Sequence, residues 1–463
     1  MPGLMQSLEV GKRALLTHQF SLQTIGHNIA NVNTPGFSRQ RVTIVSTFPE
    51  DASMGQIGTG VTATDVRQIR DLFLGEQFRE ARKSEGQWGY KSKTLQQIES
   101  LFNEPQENSL NELLNKFFDS WSQLATNSDS SNNRKLILAE ADQLINGIKQ
   151  LAQKLDALRA SVDRDMNVVT SQVNQLTREI AGLNDQIKSQ ELGGRRANDL
   201  RDARDLLTDQ LSELIDVRVV EKDNGSTIVQ MGGMALVDGS ESFDIGTEVE
   251  SKNGVPTSRL VWQGTSVQLT NKNGQLSGLI ESRDRVIPEY QRQLDDLART
   301  LVEQVNAIHS SGYGLDGDTG INFFDPNFTD ALTIRLNPAI EADMNKIAAG
   351  TTPDGDNQIA LALSDLRNQT VMNNDTQTIN DFYSSLIGTL GVETHEAGSF
   401  TKNFELLAQQ IDNSRQSVQG VSLDEEMANM IKFQHAYDAA ARVITTMDQA
   451  LDTVISSMGI VGR

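Results

Sequence analysis

Residues 4–37 read LMQSLEVGKRALLTHQFSLQTIGHNIANVNTPGF, and steps of four and three from Leu4 land on Leu8, Gly11, Leu15, His18, Leu22, Ile25, Ile29 and Val32. Residues 430–458, MIKFQHAYDAAARVITTMDQALDTVISSM, repeat the pattern at Met430, Phe433, Tyr437, Ala441, Ile444, Met447, Leu451, Ile455 and Met458. A mean spacing of about 3.5 residues keeps one stripe toward a partner along a supercoiling helix. The best partner of each end is the other end. An ordinary pair of core helices has the same spacing, so periodicity alone leaves that reading open. Residues 1–41 carry Lys12, Arg13, Arg39 and Arg41 against Glu9, whereas residues 421–463 set six acids against Lys432, Arg442 and Arg463. Opposite signs favour the ends meeting, within the limits of salt screening. The apolar area of a two-helix hairpin falls short of the backbone entropy that it must offset. Both ends are therefore expected to be mobile in the isolated chain and ordered when copies stack laterally.

A chain of 463 residues has room for two to four cores. Its net charge of −21 argues against nucleic acid or an anionic membrane surface as partner. Cysteine is absent, which removes disulfides and thiolate chemistry. No stretch approaches a membrane span, and Glu9, Lys12, Arg13 and His18 interrupt any secretory apolar core. Export, if it occurs, is expected to remove no signal peptide.

The first helix starts at Pro2 and stops at Asn33-Thr34-Pro35-Gly36, where proline ends the ladder and glycine permits the turn. Residues 41–70 read as β-rich, and 71–216 as helices. Leu144, Ile148, Leu151, Leu155, Leu158, Val162, Met166, Val169, Val173, Leu176, Ile180, Leu183 and Ile187 form one long seam that Gly193-Gly194 ends. Between Val217 and residue 276, Asn224-Gly225, Asn253-Gly254 and Asn273-Gly274 punctuate β-prone runs and predict type I′ hairpins. Helical pattern resumes at 278–309, a mixed segment spans 312–350, and helices complete the chain. The expected fold is α+β and mainly helical, elongated and multi-domain, with paired terminal coiled-coil helices, a long helical bundle and an inserted antiparallel β domain. Its divisions are a terminal assembly domain (1–36 and 421–463), a helix-rich domain (37–216 and 277–420) and the β domain (217–276). Trimming the last is expected to be tolerated better than a charge in the terminal seam.

Asn28-Ile29-Ala30-Asn31-Val32-Asn33-Thr34-Pro35-Gly36-Phe37 resembles the amino-terminal signature of the axial proteins of the bacterial flagellum: rod, hook and hook-associated subunits. Ser422 to Ala428, Phe433-Gln434, Ala436-Tyr437 and Val443-Ile444-Thr445-Thr446 resemble the carboxy-terminal signature. Ser38-Arg39-Gln40, Asn198 to Asp205 entering Leu206-Leu207, and Asp316-Gly317-Asp318-Thr319-Gly320 before Phe323-Phe324 resemble the hook-associated branch. The resemblance implies an extracellular structural subunit joining hook to filament, assembled laterally with its own copies after unfolded export through the type III channel. It implies hook protein as proximal partner and the third hook-associated protein as distal partner. A cytoplasmic export chaperone would cover the carboxy-terminal helix beforehand. A hook or rod subunit, or a cytoplasmic coiled-coil adaptor, are the alternatives.

Asn28, Asn31 and Asn33 are expected to cap the first helix and bond the turn backbone. Asp316, Asp318 and Gly320 fail the EF-hand pattern because Asn327 holds its twelfth position, so an acidic turn is expected. The glycine pairs lack the Lys-Ser/Thr of a phosphate loop. Arg195 to Asp209 reads as a solvated, salt-bridged helix start. The five histidines show no metal spacing, and His18 reads as a packing residue with a hydrogen-bonded ring. No catalytic residue, metal or cofactor is expected, and an enzyme is a poor reading.

Overall fold

The computed structural model describes residues 2–52, 55–102, 109–252, 255–353 and 356–458. The chain opens with α1 (Pro2–Ala30) and a β-hairpin made of β1 (Gln40–Ser46), β2 (Glu50–Ala52), β3 (Gly55–Ile57) and β4 (Val61–Gln68). In it β1 pairs β4 and, nearer the tip, β2 pairs β3, all antiparallel. Four helices follow: α2 (Leu72–Phe102), α3 (Leu110–Thr126), α4 (Ser131–Glu191) and α5 (Asn198–Leu214). Six strands come next, β5 (Val217–Glu221), β6 (Thr227–Met231), β7 (Met234–Asp238), β8 (Glu241–Ser242), β9 (Ile245–Lys252) and β10 (Val255–Trp262). The remaining helices are α6 (Gln275–Glu281), α7 (Ile287–His309), α8 (Pro338–Ala342), α9 (Gln358–Asp365), α10 (Ile379–Gln419) and α11 (Leu423–Met458). On return, α10 lies along α2, and α11 lies along α1. At ~1.5 Å per residue the 61-residue α4 spans roughly 90 Å, which makes the molecule elongated. The fold is mainly helical α+β.

Side-chain caps set several helix starts. Ser109 and Ser130 accept from the backbone N–H of Glu112 and Asn133, and Thr378 with Asp381 forms a reciprocal capping box. Between α6 and α7 the helix continues through a π turn at Ser282–Val286, just before Pro288. Proline has no N–H to offer the carbonyl one turn back, and the widened turn accommodates that loss. The same turn carries Arg283 inward, where it donates to Asp163 at 2.8 Å and to the Ser258 carbonyl.

One continuous core joins α2 to α10, and it includes strand residues Val229, Met231, Val237, Ile245 and Leu260 alongside Val173 and Ile180 of α4. The segment 217–276 is antiparallel β structure, in a four-stranded sheet β5-β6-β7-β8 and a separate β9–β10 hairpin. It is not a peripheral projection, because its strands complete the apolar face of α4. Trimming it would uncover that face.

The turn chemistry also differs from expectation. Both central residues of a type I′ turn have positive φ, and here that pair is Gly232-Gly233 (φ 57° and 86°), joining β6 to β7. Asn224-Gly225 has positive φ only at the glycine, in a longer loop closed by Lys222 and Ser226. Asn273-Gly274 joins no strands; Gly274 precedes the first residue of α6. Asn253-Gly254 lies outside the described residues.

Along α4 the seam is buried at Leu144, Ile148, Leu151, Leu155, Val162, Met166, Val169, Val173, Ile180 and Ile187. Leu158, Leu176 and Leu183 are only half-buried. The centre of the stripe instead passes through Thr177 and Asn184, both fully buried. Asn184 explains the shift: its Nδ2 donates to the carbonyls of Thr227 (3.1 Å) and Gly239 (2.9 Å), and its Oδ1 accepts from Thr227 N–H at 3.0 Å.

Residues 312–350 hold isolated bridges and short turns rather than a sheet. Buried His309 fixes them, donating from Nδ1 to the Ile321 carbonyl (2.7 Å) while Nε2 accepts the Ala348 N–H (2.9 Å). Burial holds its pKa down at about 4. Buried Arg134 donates to the adjoining Ile347 carbonyl. The acidic turn is neutralised by Lys346, which pairs with both Asp316 and Asp318.

Candidate assembly surface

The terminal helices run antiparallel, in a register shown by three contacts. Asn28 Nδ2 donates to Glu426 Oε2 at 3.1 Å, the His18 and Phe433 rings lie 5.9 Å apart, and Gly11 faces Ile444. A Cβ on Gly11 would come within 2.9 Å of Ile444 Cγ1, so only glycine allows this approach. Ile25 is buried, while Leu4, Leu8, Leu15, Leu22, Ile29 and Val32 are half-buried. Met430, Phe433, Tyr437, Ala441, Ile444, Met447 and Leu451 are half-buried on α11. Ile455 is a correction: it is 64% exposed, and half-buried Val454 takes its place in the stripe. The Met458 side chain lies outside the described residues. His18 packs on Phe433 as expected, but its Nδ1 has no hydrogen-bond partner.

The sequence reading missed a second buried stripe on α1: Thr17, Ser21, Thr24 and Asn28. These small polar residues also recur at steps of four and three, which was the available signal. They allow α1 to pack on β1 and β4 as well as on α11. The hydroxyls of Ser21 and Thr24 donate to carbonyls one turn back, which removes the cost of burying them.

Asn28 is not a cap. Its Nδ2 donates to the Gln40 carbonyl (2.9 Å) and its Oδ1 accepts the Gln40 N–H (3.0 Å), so one buried amide binds the helix, the hairpin and α11 together. Asn31 does serve the turn: Nδ2 donates to the His27 carbonyl at 3.0 Å, and Oδ1 accepts from Thr34. Asn33, Thr34 and Pro35 are exposed. Gly36 has φ 78°, with Leu206 where a side chain would begin, and Phe37 meets the His27 ring edge-on at 5.5 Å.

The start of α5 is salt-bridged but buried, contrary to the solvated reading. Asp202 accepts the Ser38 N–H (2.9 Å) and Gln68 Nε2 (2.8 Å), and Asn198 Nδ2 donates to the Val66 carbonyl (2.8 Å). Burial pushes the Asp202 carboxyl up, opposed by the Ser38 bonds and nearby Arg70. Arg70 pairs with Asp205, and Arg415 of α10 pairs with Asp209 at 2.5 Å. The Arg39 N–H donates to the Gln419 carbonyl (2.8 Å), and its guanidinium meets Glu425 at 2.5 Å. The two sequence signatures therefore meet through one polar latch at the root of the hairpin.

Replacing Asn28 with alanine strands the Gln40 peptide groups and the Glu426 carboxylate, a loss of roughly 2–4 kcal/mol. Hydrogen exchange is expected to speed up in residues 40–46 and the first turns of α11, with no change in α4. Equal acceleration in α4 would show that the latch belongs to the global core.

Beyond α1, α11 has no substantial neighbour among the described residues. Leu423, Met427 and Ile431 form an exposed apolar row on it, and Met5, Leu16 and Phe20 are exposed on α1. Among the described residues no cluster of His, Asp and Glu suits a metal ion, and no helix is long and apolar enough to cross a membrane.

Residues 95–324 match the family model of the flagellar hook-associated protein FlgK helical domain, and 414–457 match that of the flagellar basal body rod FlgEFG protein C-terminal region. Flagellar hook-associated protein 1 of Bacillus subtilis is 33% identical over the full length of both chains. That of Salmonella typhimurium is 24% identical, covering 95% of this chain and 97% of its own. The flagellar hook junction protein FlgK from Burkholderia pseudomallei shares the fold, with a TM-score of 0.63 at 18% identity, covering 74% of this chain and all of that one. A fold closed by paired terminal helices, with these matches, defines a structural protein of the bacterial flagellum. Within that class, the chain belongs to the flagellar hook-associated protein 1 family.

Proposed function

We propose that this chain joins hook to filament, forming a ring by lateral packing of its terminal helix pairs. The observation that carries the reading is α11, a 36-residue helix with no substantial helical neighbour besides α1 among the described residues and an apolar row facing solvent. Burying such a row needs further copies. Full-length similarity to hook-associated protein 1 relatives favours this over a hook or rod subunit. Its partners are its own copies, hook protein on the proximal side and the third hook-associated protein on the distal side. The chain works outside the cell after type III export. A cytoplasmic chaperone covers α11 before that. It is not an enzyme, needs no cofactor, and its net charge of −21 disfavours nucleic acid and anionic membranes.

Deleting the gene in the source organism tests this. The expected result is hooks without filaments, with flagellin lost to the medium. Normal filaments would remove the junction role, and loss of hooks as well would move the chain to rod or hook.

A further inference from the structure

Two exposed features of the chain fit each other but lie too far apart to meet within one molecule. The first is the outer part of the hairpin, where β1 gives way to β2, called the tip below. Phe48 is 94% exposed, and Pro49, Glu50 and Asp51 follow it on the surface. Asp51 makes no ion pair among the described residues.

The second is a groove of about 860 Å³ between the first turns of α2 and the sheet face of β5 and β6. Phe73 lines it and is 65% exposed, next to exposed Leu72. Most of the charge in the groove is neutralised internally: Arg79 pairs with Asp209, and Lys83 with Glu80 and Asp216. Arg218, Lys272 and Glu76 are the exceptions, all exposed and without an ion pair among the described residues, which leaves the groove one net positive charge. The groove thus offers the exposed Phe73 ring and two free cations beside one free carboxylate, Glu76. The tip offers an apolar ring and a free carboxylate three residues on.

The chain's own tip cannot fill the groove. Glu50 accepts from Gln6 Nε2 at 2.9 Å, which holds the tip beside the start of α1. The groove opens at α2, directly after β4 ends at the hairpin root. Seven paired residues at ~3.3 Å each put roughly 23 Å between the root and Ser46, and Phe48 lies beyond it.

We infer that the groove receives the hairpin tip of a second copy, with Phe48 beside Phe73 and Asp51 against Arg218 and Lys272. Tip and groove are different patches of the same chain, so the contact is head-to-tail. Contacts of that kind generate rings or helices rather than closed dimers. The inference rests on the proposed ring and adds a specific contact to it.

Because the chain has no cysteine, a disulfide can report the contact directly. Pro49→Cys and Gln77→Cys in one chain leave Phe48 and all the charges intact. In sheared appendages under mild oxidation, a ladder of dimers and higher multimers is expected, with no ladder from either single variant. Separately, Arg218→Glu with Lys272→Glu is expected to reduce filaments at least tenfold, and adding Asp51→Lys to restore part of that loss. If the unaltered chain is missing from appendages, the ring itself is wrong. If the double-cysteine chain assembles without a ladder, or cross-links to a different protein, the inference alone is overturned. Should that chain fail to assemble, the charge variants decide, and normal filaments from Arg218→Glu with Lys272→Glu overturn the inference.

Discussion

Leu451→Asp is expected to abolish filament assembly while leaving the body of the protein folded. The register set by Asn28–Glu426, His18–Phe433 and Gly11–Ile444 brings Leu451 opposite the start of α1, near Leu4. Leu451 is half-buried there, and a carboxylate in its place must stay hydrated, prising α11 from α1. In a ring the same lesion recurs in every copy, so a modest cost per chain multiplies around the assembly. The continuous core joining α2 to α10 includes no residue of α1 or α11, which confines the damage to the ends. Electron microscopy should show hooks with at least a hundredfold fewer filaments, and the melting temperature of the purified chain should move by no more than a few degrees. Normal filaments would remove the terminal stripe from the assembly account. Collapse of the whole fold would show that the ends are part of the core.

The second large effect concerns stability, at a position that hydrophobic patterning passes over. Asn184→Leu is expected to destabilise the chain by roughly 3–5 kcal/mol although it adds apolar volume to a core helix. The fully buried amide holds both peptide groups of Thr227, the Gly239 carbonyl and the Arg204 guanidinium at 3.2 Å. Arg204 is itself buried, which pulls its pKa down to about 10, and it also donates to the Gly225 carbonyl. Leucine leaves these donors and acceptors without partners away from water, and leaves a buried cation with one acceptor fewer. Leu183→Ala, at the adjacent half-buried position, is expected to cost less. Urea denaturation of both variants checks the order: a midpoint lowered more by Leu183→Ala would mean that the apolar stripe, not the polar tie, holds the strands to α4.

Asn184 also shows why residues 217–276 belong to the body. Asn174 bonds both peptide groups of Ile245, and Asp163 accepts from Ser258, so three positions along α4 grip the strands by their backbone. Composition marks the change from helix to strand at Val217. It does not show that α4 depends on those strands to cover its face.

Several features were legible because they are local. The spacing of Leu4 to Val32 and of Met430 to Leu451 requires a stripe on each terminal helix, and their matching repeats imply that the ends pair. Pro35 and Gly36 end α1 because one lacks an N–H and the other accepts φ 78°. The exposed Ile455 and the central Thr177 were not legible, since apolar spacing identifies a face only to within a residue.

By itself the sequence determined the helices, the β-rich segments, the pairing of the ends and the signatures of the family. Only the tertiary structure decided which polar residues lie inside: Asn28 between α1, Gln40 and Glu426, Asp202 under the hairpin, and Asn184 against β6. The physical reason is that burying a polar group is tolerable only where partners satisfy it. Those partners are far away in the chain, as far as from Asn28 to Glu426, and only folding brings them together.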